Sequence, residues 1–353
     1  MSREERMAIL QMVQEGKITA EEAVNLLKAV EAAEQRELEA TEGNGESADG
    51  RPTGEARPEP SSGEGKGLIR EGGLISDELV KRLTSELLGL FGPGHRIEED
   101  IEGEFAGDGP VRVEIATGNG RIDVKPWDGP GFKLHLIKSV RAASESAAEE
   151  AARDLAQISN VPGLFSVRMR EGLRLNAGLT IEALLPRDRI AELNLRTSNG
   201  RVEVADIDCA ACVVTTSNGR IVAEGVRAKS AKLKTSNGSI AASGLTGSVE
   251  AVSSNGSITV ALSGCDGDIS LHTSNGSIRC RVPDDAGTGF DIEAATTLGS
   301  ITVEVPNLET IDRDKSFGHN YLRARSANFS ASPRQVRVSA RTSNGSITIA
   351  QGR

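Results

Sequence analysis

Thr197-Ser198-Asn199-Gly200, Thr216-Ser217-Asn218-Gly219 and Thr235-Ser236-Asn237-Gly238 open a series that continues at Ser253–Gly256, Thr273–Gly276 and Thr342–Gly345. Thr117-Gly118-Asn119-Gly120 and Thr296-Thr297-Leu298-Gly299 are looser copies. From Gly200 to Gly299 the glycines step by 19, 19, 18, 20 and 23 residues. Gly299 to Gly345 is 46, twice 23, and Gly120 to Gly200 is 80, four times 20. A fixed period near twenty is the mark of a repeat architecture.

Aligned on the glycine, the copies share aliphatics at even offsets. Two residues after it stand Ile122, Val202, Ile221, Ile240, Ile258, Ile278, Ile301 and Ile347. Four after it come Val124, Val204, Ala223, Ala242, Val260, Cys280, Val303 and Ile349. On the other side, Val113 and Ile115, Leu193 and Leu195, and Ile269 and Leu271 illustrate the positions seven and five before it. Even spacing is the period of a strand and not of a helix. Each copy is therefore two short strands around an Asn-Gly turn, and both turn residues tolerate positive φ. A second, looser turn follows half a period later, as at Ser243–Gly247 and Ser263–Gly267.

Two strands and two turns per twenty residues predict a β-solenoid. Each coil would pair with the next about 4.8 Å away. The class is mainly β, and the rival arrangement is a meander of hairpins folded as a sandwich or propeller. Stacking predicts one ladder of the threonines (Ser253 included). It predicts another of Asn199, Asn218, Asn237, Asn255, Asn275 and Asn344, beside Gly200, Gly219, Gly238, Gly256, Gly276 and Gly345. These ladders are read as holding the corner. A threonine face for ice or sugar is the sharper alternative, but one column is narrow and aromatics for sugar stacking are only 3%.

The rest of the chain divides by composition. Residues 1–36 read as a helical hairpin, with the capping box Thr19-Ala20-Glu21-Glu22 opening its second helix. So small a pair has little core of its own and is expected to self-associate or dock on a protein partner through residues 3–34. Residues 37–73 are dominated by Glu, Gly, Pro, Ser and Ala and read as a disordered linker. Residues 74–92 read as an amphipathic helix capping the solenoid. A membrane-surface role for Leu74–Phe91 is not favoured, because its polar face is of mixed sign. The solenoid spans 95–353, with a helix-containing insertion at about 139–192. Within it, Phe132–Val140, Leu164–Arg170, Leu173–Asn176 and Leu179–Leu185 are expected as strands, Ser144–Ile158 as helix and Asn307–Ala331 as an irregular loop.

The net charge of −10 argues against nucleic acid as a partner, which needs a basic stripe. No apolar run approaches the length of a membrane span, and the opening residues do not read as a signal peptide, so a cytoplasmic address is expected. His95, His135, His272 and His319 are scattered, and no glycine-rich phosphate loop occurs, so neither metal nor other cofactor is expected. Cys209-Ala210-Ala211-Cys212 is a C-x-x-C, but Cys212 and Cys280 fall at inward strand positions and read as core filler rather than redox chemistry. A polysaccharide-cleaving solenoid would need convergent acids. Asp206, Asp208, Asp266, Asp268, Asp284 and Asp285 instead read as ordinary turn acids, and the chain is expected not to be an enzyme.

The T-S-N-G-[SR]-I column, the unit Val111–Val124 and the insertion Ser139–Asn194 resemble the bacterial β-strand-repeat proteins labelled "putative adhesins", of unknown function. Arg3–Glu31 resembles the SHOCT-like helical hairpin that often precedes them. The resemblance implies a β-solenoid with an N-terminal oligomerising or docking module, found near envelope-stress and regulatory systems. It brings no catalytic residues. The function it implies is that of a scaffold or interaction protein, with a membrane-peripheral envelope protein as the alternative.

Overall fold

The computed structural model describes residues 93–353 apart from 143, 171–176, 265–266, 286, 317 and 353. The expected hairpin, linker, amphipathic helix and Leu173–Asn176 strand lie outside the described residues. The chain separates into Met1–Gly92 and Pro93–Arg353, and the second unit holds every element below.

That unit is a stack of rungs of two strands each, and six of them meet at a Ser-Asn-Gly corner. In chain order the first rung is β2 (Val111–Ala116) and β3 (Ile122–Trp127), preceded by β1 (Gly94–Gly103). After β4 (Phe132–Arg141), α1 (Glu145–Arg153) and β5 (Ala156–Val161) comes the rung β6 (Leu164–Met169) and β7 (Ala177–Pro186). Four rungs follow without interruption. They are β8 (Ile190–Arg196) with β9 (Val202–Ala205), β10 (Asp208–Thr215) with β11 (Ile221–Glu224), β12 (Arg227–Lys234) with the first half of β13 (Ile240–Asn255), and its second half with β14 (Ile258–Leu262). The last three are β15 (Asp268–Asn275) with β16 (Ile278–Val282), β17 (Thr288–Leu298) with β18 (Ile301–Glu304), and β21 (Arg334–Asn344) with β22 (Ile347–Gln351). Between the last two lie β19 (Leu308–Ser316) and β20 (His319–Ser326).

All rungs pair in parallel, and beside the corner they keep one register, so residues at the same offset from the corner stand in files; the register shifts lie away from it, as between Arg227 and Ser230. Their order in space is not their order in sequence. The β2–β3 rung lies between β6–β7 and β8–β9. The β21–β22 rung lies between β15–β16 and β17–β18. The first and last rungs of the chain are thus each one layer inside the stack, and rungs met later or earlier in the sequence form its ends. The 46-residue gap from Gly299 to Gly345 holds the closing hairpin, and is not two coils in line.

Antiparallel strands close the ends. β4 pairs with β7, and β1 with β4; β5 pairs with β6. At the far end β20 pairs with β17, and β19 with β20. The expected loop over Asn307–Ala331 is therefore a hairpin followed by a single 3-10 turn, Phe329–Ala331. Its outer strand Leu308-Glu309-Thr310-Ile311-Asp312-Arg313-Asp314 lacks an aliphatic alternation because neither face is buried, and charge on an edge strand blocks further pairing. The expected helix over Ser144–Ile158 stops at Arg153. Ser144 caps its start with its hydroxyl accepting from the Ala147 amide, and Ala156–Ile158 joins β5, where pairing to β6 overrides local helix preference.

The interior is aliphatic. Ile122, Val202, Ile221, Ile258, Ile278 and Ile347 are wholly buried, each resting on its counterpart in the next rung. Burying one such side chain is worth roughly 1.5–3 kcal/mol, and every rung contributes several. Among the described residues the buried aromatics sit at the ends. Phe105, Phe132 and Phe165 form a cluster with centroids 4.3–5.5 Å apart at one end. Phe290 and Phe329 are buried at the other. A chain with so little aromatic area spends it where a rung lacks a neighbour.

Candidate functional site

The corner is built alike in the seven rungs from β2–β3 to β21–β22. Asn199 Nδ2 donates to Asn119 Oδ1 at 2.8 Å. The file continues upward through Asn218, Asn237, Asn255 and Asn275, each bond 2.8 Å, and ends with Asn344 donating to Asn275 at 2.7 Å. In the outermost rung Leu298 takes the asparagine's place and is 61% exposed. From Asn199 to Asn344 these side chains are exposed.

The threonines behave differently from the expected ladder. They do not bond one another. Thr197, Thr216, Thr235, Ser253, Thr273, Thr342 and Thr296 each donate to the carbonyl of the corner glycine in the adjoining rung, at 2.9–3.2 Å. All are buried, which removes a threonine face for ice or sugar.

The corner glycines also have a different cause from positive φ. None of Gly200, Gly219, Gly238, Gly256, Gly276 and Gly345 has a left-handed backbone. A Cβ on Gly219 would stand 1.8 Å from the Gly200 carbonyl oxygen, and one on Gly238 1.9 Å from that of Gly219. Close backbone approach excludes every side chain. At the opposite corner Asp206, Gly225 and Gly244 do have a left-handed backbone, with φ of 49°, 63° and 66° in successive rungs.

The outward file four residues before the corner glycine was not singled out by the sequence reading. In spatial order it runs Arg168, Ala116, Arg196, Thr215, Lys234, Val252, His272, Arg341, Ala295. The five basic side chains are all exposed. Arg168 bonds Glu114, and Arg341 meets Glu293 at 2.6 Å; Arg196 and Lys234 make no ion pair among the described residues. Where the file starts, Arg168, Arg170 and Arg196 line an open groove of about 730 Å³ with Gln157, Asn194 and Ser198. A smaller hollow of about 500 Å³ lies against β4 and β7, with Asp100, Glu102, Asp123 and Glu182 facing Lys125, Lys133 and His135. The Asp100 carboxylate, 2.7 Å from Nδ1, raises the His135 pKa above its ordinary value.

The remaining candidates are dispersed. Cys212 and Cys280 are buried. Cys209 is half-buried and hydrogen-bonds Cys212, which together with burial holds the Cys212 thiol well above the usual thiol range. Asp208 pairs with Arg227 at 2.7 Å, Asp268 with Arg337 at 3.6 Å, and Asp285 with Arg334. The Gly287 amide and then Arg334 hold Asp285 below the usual carboxylate range. Asp284 accepts from Gln351 at 3.0 Å. Asp266 lies outside the described residues. Among the described residues no three His, Cys, Asp or Glu side chains converge as a metal site, and no helix is long and apolar enough to cross a membrane.

The Toastrack DUF4097 family matches residues 157–350, the stretch that holds most of the rungs. The chain belongs to this family. Residues 4–35 match the SHOCT-like domain. Among curated proteins none matches the chain. Solved structures similar to it include a "putative adhesin" from Bacteroides fragilis NCTC 9343, at 15% identity and a TM-score of 0.35, covering 73% of this chain and 97% of that one. A "putative cell adhesion protein" from Clostridium sporogenes ATCC 15579 has 12% identity and a TM-score of 0.30, covering 73% and 100%. A "putative lipid binding protein" from Parabacteroides distasonis ATCC 8503 has 11% identity and a TM-score of 0.28, covering 74% and 98%.

Proposed function

We propose that this Toastrack chain is a non-enzymatic, adhesin-like scaffold. Its stack presents a rigid face, and residues 3–34 supply self-association or docking on a protein partner. One observation carries the reading: nine rungs hold a single register beside the corner, so outward side chains stand in straight files about 38 Å long at about 4.8 Å per rung. A file of that kind is fixed by backbone ladders and a packed core. It loses little conformational freedom when a partner lies along it. A role near envelope-stress regulation follows only from the family resemblance and belongs to the same proposal.

Light scattering on the full chain and on one lacking residues 1–34 tests the module's part. A fall in assembly mass on deletion supports it, and an unchanged mass removes it. The proposed address is cytoplasmic, with the envelope periphery, through residues 74–91, as the rival; cell fractionation with and without that segment separates them.

A further inference from the structure

We infer that the outward face of the β6-to-β17 sheet, beside the Ser-Asn-Gly corner, binds a linear acidic polysaccharide carrying one anionic group per disaccharide. The inference rests on the scaffold reading above and names what its rigid face would hold.

The basic file supplies the spacing. Arg168, Arg196, Lys234 and His272 occupy alternate rungs, about 9.6 Å apart. An extended disaccharide has about that length. Arg168 is engaged by Glu114, so among the described residues the unpaired cations at this spacing are Arg196 and Lys234, and a polymer with an acid on every second sugar can meet both with successive acids.

The rungs between carry Ala116, Thr215 and Val252, whose short side chains leave a shallow seat between successive long ones. Two residues nearer the corner, Ser198, Ser217, Ser236 and Ser254 stand in the next outward file, within reach of sugar hydroxyls. At the file's start the groove of about 730 Å³ holds Arg168, Arg170 and Arg196 with Glu114; Glu114 engages Arg168 and Asp154 engages Arg170 at 3.4 Å, so Arg196 is the cation it offers to an acid. Arg196 and Lys234 are uncommitted among the described residues, so their charge is available to a ligand. The acids nearest to the file, Glu114, Glu250 and Glu293, are held by Arg168, Lys232 and Arg341.

A single-stranded nucleic acid is the competing polyanion. Its binding surfaces combine charge with aromatic platforms for the bases, and this face carries no Phe, Tyr or Trp. Acidic polysaccharides belong to cell surfaces, so this inference goes with the envelope periphery, the rival address above, and a cytoplasmic result in the fractionation would count against it.

The test uses the full chain, hyaluronan oligosaccharides as probe, and calorimetry at low salt. Binding that weakens with salt, absent for neutral dextran, is expected. Arg196→Ser with Lys234→Ser should weaken it by about tenfold or more, while Arg279→Ser with Arg281→Ser, on the opposite sheet, should change it less than about twofold. Circular dichroism checks that both variants fold. No hyaluronan binding, equal losses in the two variants, or tighter binding of oligothymidylate would each overturn the inference. The light-scattering result is independent of all three, so failure here leaves the assembly role standing, and the reverse.

Discussion

At the residue scale, the corner glycine is the most constrained position in the chain. Gly238→Ala would press a methyl against the Gly219 carbonyl, a backbone atom that cannot swing away. A loss of about 2–4 kcal/mol in urea unfolding is expected. Gly264→Ala, with nothing within 4 Å of the added carbon, should be close to neutral and serves as the control. The buried Thr235 hydroxyl donates to that same Gly219 carbonyl at 3.0 Å. Thr235→Val should cost about 1–2 kcal/mol, and Thr235→Ser should restore most of it, since Ser253 fills the position in the next rung. The glycine column was legible because every rung repeats it. Its cause was not. A sequence shows that glycine is required, but not which of its two properties, left-handed freedom or absence of Cβ, the fold uses.

At the element scale, the closing strands were the least legible. The eight-copy pattern announces the rungs because each buries one face of two strands. β19 buries neither, and β5 only leans on β6, so their residues carry no period. The C-terminal hairpin is tied to the stack through Asp291 of β17, whose carboxylate meets Arg323 at 3.2 Å and also holds Arg325. Burial would raise the pKa of Asp291, but hydrogen bonds from Arg323 and Arg325 outweigh it and hold it low. A depressed folded pKa stabilises fully above the unfolded value, about 3.9. That stabilisation is lost as pH falls through the folded value. Hydrogen exchange in β20 should therefore accelerate below about pH 4 relative to the chemical rate, and Asp291→Asn should flatten this dependence while weakening the hairpin at pH 7. An identical acid response in the variant would assign it to other carboxylates.

At the scale of the whole molecule, repeat length and coil geometry could be read from the sequence, but the order of the floors could not. Every copy carries the same corner and the same aliphatic offsets, so any copy can rest on any other. Chain connectivity and the end-closing strands decide which does. β2 pairs with β8 across about 80 residues, and β21 slides between two rungs that precede it. In an ordinary repeat array the last unit can be removed at the cost of one interface. Here a chain ending after Pro333 would lose two, and would leave β15 and β17 facing an empty layer. Limited proteolysis of that truncation should cut within 288–326 under conditions where the full chain is intact. Persistent resistance there would mean that the two sheets reseal directly.

The buried position of the final rung also sets how the molecule answers a pull. Tension applied at the carboxyl end reaches β22 while both its neighbours, β16 and β18, grip it, so the strand must slide against two ladders at once instead of peeling from one. The amino side differs, because among the described strands β1 pairs with β4 alone and can unzip bond by bond. A tether stretched between the two ends would give way first at β1, and the final floor of the stack would stay clasped.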